Sequence, residues 1–101
     1  MSAPLLVVED RRSLGEMLAE TLRKEGYGVE LVARGDAAVA LLQEGGPYLA
    51  VLTDLRLPGA DGLAVLRAAR TADPLLPVFL ITGFATVETA VEALKQGARD
   101  Y

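Results

Sequence analysis

The sequence predicts an α/β domain built as a doubly wound parallel sheet in strand order 2-1-3-4, with a fifth strand only begun. Three observations predict it. Short unbroken apolar runs, LLVV at 5–8, LAVLT at 49–53 and VFLI at 78–81, read as strands buried on both faces. Between the runs, apolar residues recur at helical spacing over segments of about 10–14 residues. Gly and Pro punctuate the changes of period, at Gly26, Gly45-Gly46-Pro47, Pro58-Gly59, Pro74 and Gly97. Strands alternating with helices make βαβ units, and right-handed crossovers place helices on both faces of the sheet.

Each element follows in order. After the first strand, Leu14, Met17, Leu18 and Leu22 mark the apolar face of a helix; Ser13 and Glu16 fit a capping box, and Gly26 suits the left-handed position after its end. Val29–Ala33 is the second strand, and Ala38, Leu41 and Leu42 define the second helix. The third strand ends at Thr53, and Asp61 caps a helix carrying Leu63, Leu66 and Ala69. Val78–Ile81 is the fourth strand. Thr86 caps a fourth helix bearing Val87, Val91 and Leu94, and Arg99-Asp100-Tyr101 opens a fifth strand. No repeat, linker or low-complexity stretch interrupts the pattern, so residues 1–101 form one domain.

Composition narrows the chemistry. The chain has 101 residues, 51% hydrophobic and 5% aromatic, which excludes disorder. It has no Cys and no His, which excludes a disulfide scaffold, thiolate zinc, a Ser-His triad and an imidazole base. A formal charge of −4 argues against direct nucleic-acid or anionic-membrane binding. No apolar run reaches the roughly 18 residues a bilayer needs, and no signal peptide is evident, so a cytoplasmic location is expected.

Ligands of doubly wound sheets bind beyond the carboxyl ends of the strands, where the order reverses. There the first strand ends in Glu9-Asp10, the third in Asp54 and the fourth in Thr82-Gly83. Two carboxylates about 4 Å apart repel by about 4 kcal/mol at an effective dielectric near 20. The cluster therefore raises a pKa or takes a cation, and all-oxygen ligands with room for water and phosphate favour Mg²⁺. A carboxylate beside that ion can attack phosphorus and form an aspartyl phosphate, with the Thr82 hydroxyl and Gly83 N–H donating to the phosphoryl oxygens. Singly, each residue has a plainer reading: Asp10 as a helix cap, Asp54 as a turn former, Thr82 as a strand-end hydroxyl.

VVED, LTDLRLPGADGLAVL, LITGFA and EALKQGARDY together closely resemble the receiver domain of bacterial two-component response regulators, a flavodoxin/CheY-like fold, from about Leu5 to Tyr101. The closing segment ITGFATVETAVEALKQGARDY is most similar to NtrC-type receivers. The resemblance implies Asp54 as phosphoacceptor, charged by a sensor histidine kinase or a small acyl phosphate. It implies Mg²⁺ held by Asp10, by Glu9 through water, by Asp54 and by the backbone carbonyl of Arg56. Thr82 would be the switch hydroxyl and Tyr101 the switch aromatic, although Tyr101 also reads as a packed strand residue and Arg56 as a solvated loop charge. The domain would catalyse only its own phosphorylation and dephosphorylation, not turnover, and would control an output domain in the parent chain. In NtrC-type proteins that output is an ATPase transcription activator with a DNA-binding domain. An independent phosphohydrolase is disfavoured, because Arg56 stands where haloacid-dehalogenase-like enzymes carry a second acid. Arg56 and Phe84 are expected to flank the water that hydrolyses the aspartyl phosphate and to slow it.

The family carries a lysine three residues past the switch aromatic, whereas the lysines here are Lys24 and Lys95, at the wrong ends of their helices. With most of the fifth strand and helix missing, the expected explanation is a piece of a longer parent; an incomplete record of the chain, or a native short form that pairs, are the others. The competing reading is a truncated or pseudo-receiver, a phosphate-independent binding module that dimerises through the exposed apolar edge at Val78–Ile81.

Overall fold

The computed structural model describes residues 3–81. Its elements are β1 (Leu5–Val8), α1 (Arg12–Lys24), β2 (Val29–Val32), α2 (Gly35–Gln43), β3 (Ala50–Thr53), α3 (Gly62–Ala72) and β4 (Val78–Leu80). The expected fourth helix and fifth strand, with Thr82, Gly83, Phe84, Lys95 and Tyr101, lie outside the described residues.

The four strands are parallel and ordered β2-β1-β3-β4, the order expected from the alternation. In the register, Leu5 lies opposite both Val29 and Ala50, and Val8 opposite both Val32 and Thr53. The ends of β1 and β3 are therefore level, so whatever follows Val8 meets whatever follows Thr53. β3–β4 pairing continues past the strand, with the Ile81 N–H donating to the Thr53 carbonyl at 3.0 Å.

Alternate strand residues serve opposite faces. Leu6, Val8, Val51, Val78 and Leu80 pack with Ala38 and Leu42 of α2 and with Val65, Leu66 and Ala69 of α3 in the main core. Leu5, Ala50, Leu52 and Phe79 turn to the other face, beside Leu22 of α1.

Two local expectations about α1 are corrected. Ser13 does not cap it: the helix begins at Arg12 with Arg11 at its cap, and Glu16 instead pairs with Arg12 at 3.0 Å. The reason is the Glu9 carboxylate, which accepts the Arg11 N–H at 3.1 Å and turns the chain into the helix two residues before Ser13. Met17 is not on the buried face but 56% exposed. That face centres on Gly15 and Ala19, and a Cβ on Gly15 would stand 3.2 Å from Leu31 Cδ1. This close approach fixes the helix's rotation, and a residue two positions on projects about 200° away from Gly15. Gly26 behaves as expected: at φ 96° it closes α1, its N–H donating to Arg23 and that of Tyr27 to Leu22.

Candidate functional site

The carboxyl ends of β1 and β3 bring three acids together. Glu9 and Asp54 are buried, 2% and 1% exposed, while Asp10 faces solvent. One carboxylate oxygen from each of Glu9, Asp10 and Asp54 lies within 4.8 Å of the others. Backbone pairing explains the convergence: the Glu9 N–H donates to the Val32 carbonyl at 3.0 Å, and the Asp54 N–H to the Val8 carbonyl at 2.9 Å. The sheet thus continues through both acids and leaves their side chains little freedom.

The segment after β3 shapes the site's floor. The Arg56 N–H donates to Asp54 Oδ1 at 3.3 Å, so the chain curls around the carboxylate, while the Arg56 side chain is exposed. The Thr53 hydroxyl donates to the Asp54 carbonyl at 2.9 Å. Gly62, the first residue of α3, donates its N–H to Leu55 O at 2.7 Å and lies against the Asp54 carbonyl, where a Cβ would collide. Asp61 caps α3 as expected, its carboxylate accepting the Ala64 N–H at 2.9 Å.

One residue of the site escaped the sequence reading. Arg11 reaches back across the acids: its Nη2 lies 2.8 Å from Glu9 Oε1 and 3.3 Å from Asp54 Oδ2, and its Nε donates to Glu9 Oε1 at 3.2 Å. The hydrogen bond to Glu9, with the fields of Glu9, Asp54 and Asp10, holds the guanidinium pKa above its ordinary value. The signal was available in the arginine that directly follows two acids in VVEDRR.

The donor set suits a hard divalent cation. Three carboxylates offer oxygen only, two are buried, and the cluster opens to solvent at Asp10, where water can complete a coordination shell.

Residues 5–101 match the family model for the response regulator receiver domain. The chain belongs to that family. As a receiver domain it is 42% identical, over its whole length, to the response regulator protein FleR of Pseudomonas aeruginosa, and covers 21% of that protein. It is 42% identical over 97 residues, 96% of the chain, to the transcriptional regulatory protein ZraR of Salmonella typhimurium and covers 22% of it. The chain thus spans about a fifth of the length of these curated relatives. Among solved structures, a CheY-like receiver domain from Methanospirillum hungatei superposes with a TM-score of 0.93 at 29% identity, covering all of this chain and 80% of that one. The receiver domain of the P. aeruginosa sensor histidine kinase PA1611, with magnesium coordinated in its active site cleft, gives 0.86 at 32% identity, over 100% of this chain and 84% of that one. A response regulator from Burkholderia pseudomallei, carrying a phosphorylated aspartic acid, calcium and citrate, gives 0.89 at 29%, over 99% of this chain and 58% of that one. The receiver domain therefore has the CheY-like fold and belongs to two-component signalling, among relatives that include transcriptional regulators.

Proposed function

We propose that Asp54 is the phosphoacceptor of this receiver domain and that Glu9, Asp10, Asp54 and the Arg56 carbonyl hold Mg²⁺ beside it, Glu9 through water. The observation that carries the reading is the buried Asp54 carboxylate meeting Glu9 and Asp10 where β1 and β3 end level. When bound, the ion supplies positive charge to offset that of the transferring phosphoryl group.

The chain's own residues do the rest. A carboxylate oxygen of Asp54 attacks phosphorus in line and forms a P–O bond. The P–N bond of a kinase phosphohistidine, or the P–O bond of an acyl phosphate, breaks, and its electron pair stays with the leaving imidazole or carboxylate. The Arg56 N–H, already on Asp54 Oδ1, holds the carboxylate in orientation. Thr82 and Gly83 are assigned to the phosphoryl oxygens and Tyr101 to the switch that follows. The phosphodonor is a sensor histidine kinase, and the output is a transcription-controlling domain of the parent chain in the cytoplasm. The domain catalyses its own modification only.

Incubation with acetyl phosphate and Mg²⁺, followed by intact-mass analysis in acid, tests this. One added phosphoryl group is expected in the native chain and none in Asp54→Asn. Equal labelling of the variant would remove Asp54 from the role.

A further inference from the structure

We propose that Arg11 is a tethered cation that neutralises the acidic cluster while no divalent ion is bound and must leave for the ion to enter, so that it sets the ion concentration at which the site loads. The inference rests on the reading of Glu9, Asp10 and Asp54 as the divalent-ion site.

The geometry carries it. A single nitrogen, Arg11 Nη2, contacts carboxylate oxygens from both buried acids, Glu9 Oε1 and Asp54 Oδ2. Those acids belong to the set whose oxygens lie within 4.8 Å of one another. A guanidinium bonded there covers lone pairs that an ion's coordination shell would use, and two positive charges in so small a space repel. Arginine and divalent ion therefore compete.

Arg11 is also able to yield. Its side chain is 45% exposed, whereas those of its partners are 0% and 2% exposed. On release the guanidinium reaches water without crossing a buried region, while the carboxylates stay in place. With no ion present the opposite holds: removing Arg11 leaves two buried carboxylates with less compensation, which is destabilising. The same side chain thus stabilises the ion-free domain and weakens ion binding.

The test uses Mn²⁺, with free ion followed by its electron paramagnetic resonance signal, and thermal unfolding in EDTA against excess Mg²⁺. Arg11→Ala should bind Mn²⁺ about tenfold more tightly than the native chain, since one nearby positive charge is gone. Its Tm should fall in EDTA and recover with Mg²⁺, giving a larger Mg²⁺-induced rise than the native chain shows. Arg11→Lys, which keeps the charge but loses the planar fork, should fall between, and it serves if the alanine variant does not fold. Equal or weaker Mn²⁺ binding in both variants would overturn the role of Arg11 alone, provided that Asp10→Asn still abolishes binding. Absence of Mn²⁺ binding in the native chain, or binding indifferent to Asp10→Asn, would bring down the reading of the site and this inference with it.

Discussion

The segment leaving β1 and the segment leaving β3 meet at the same acids, but they are held differently. After β1, backbone pairing to Val32 holds Glu9, and beyond it the contacts are of charge: the guanidinium of Arg11 spans Glu9 and Asp54, and the helix that follows has no side-chain cap. After β3, the chain is fixed by backbone: Gly62 lies against the Asp54 carbonyl, its N–H bonds Leu55, and Asp61 caps α3. Charge contacts to a half-exposed arginine can be exchanged for a metal ion at small cost, whereas backbone contacts without space for a methyl group cannot shift. On the proposed function, a site whose occupant changes while Asp54 stays put benefits from having one of each.

Substitutions in the β3 segment should therefore damage stability, and in the β1 segment only a change at the residues that touch the acids should alter ion binding. The largest effect is expected for Gly62→Ala, where the new Cβ would meet the Asp54 carbonyl and come within 2.7 Å of Leu55 Cα. Urea unfolding should show a loss of about 3 kcal/mol, and a native midpoint would break the contrast. Asp61→Ala, which leaves the Ala64 N–H without its cap, should cost about 1 kcal/mol in the same assay. In the β1 segment, Arg12→Ala removes only an exposed pair with Glu16 and should cost about 0.3 kcal/mol, leaving Mn²⁺ affinity unchanged. A large change there would mean that α1 depends on surface charge more than its contact with β2 implies.

A spectroscopic prediction sharpens the picture away from the site. Burial, and then the hydrogen bond its hydroxyl donates to Glu30, push the Tyr48 pKa from 10.0 up to about 12. A raised pKa means that the folded state holds the proton more tightly. The contribution to stability is complete below about pH 10 and is lost as pH rises towards about 12. Ultraviolet titration should show a late tyrosinate step that vanishes in Tyr48→Phe; a variant with an unchanged curve would refute it.

Much of this architecture was legible from the residues. The parallel order follows from short apolar runs alternating with helical patterns, and Glu9, Asp10 and Asp54 meet because the first and third runs end in acids that parallel in-register strands bring level. What was not legible depends on tertiary fit. The rotation of α1, which exposes Met17, is set by how closely Gly15 approaches Leu31, and no periodicity encodes that distance. Ser13 is not the cap because the side chain of Glu9, just past the preceding strand, accepts the Arg11 N–H where the helix starts. For Arg11 the adjacency to Glu9 and Asp10 is visible in VVEDRR, but only the folded sheet puts Asp54 within its reach.

The most direct measurement locates the phosphoryl group itself. After treatment with acetyl phosphate and Mg²⁺, borohydride reduction converts an aspartyl phosphate to homoserine, which peptide sequencing by mass spectrometry then places in the chain. The account predicts homoserine at position 54, formed only when Mg²⁺ is present and lost in Asp10→Asn. Homoserine at another position, or the same yield at 54 in EDTA, would contradict it.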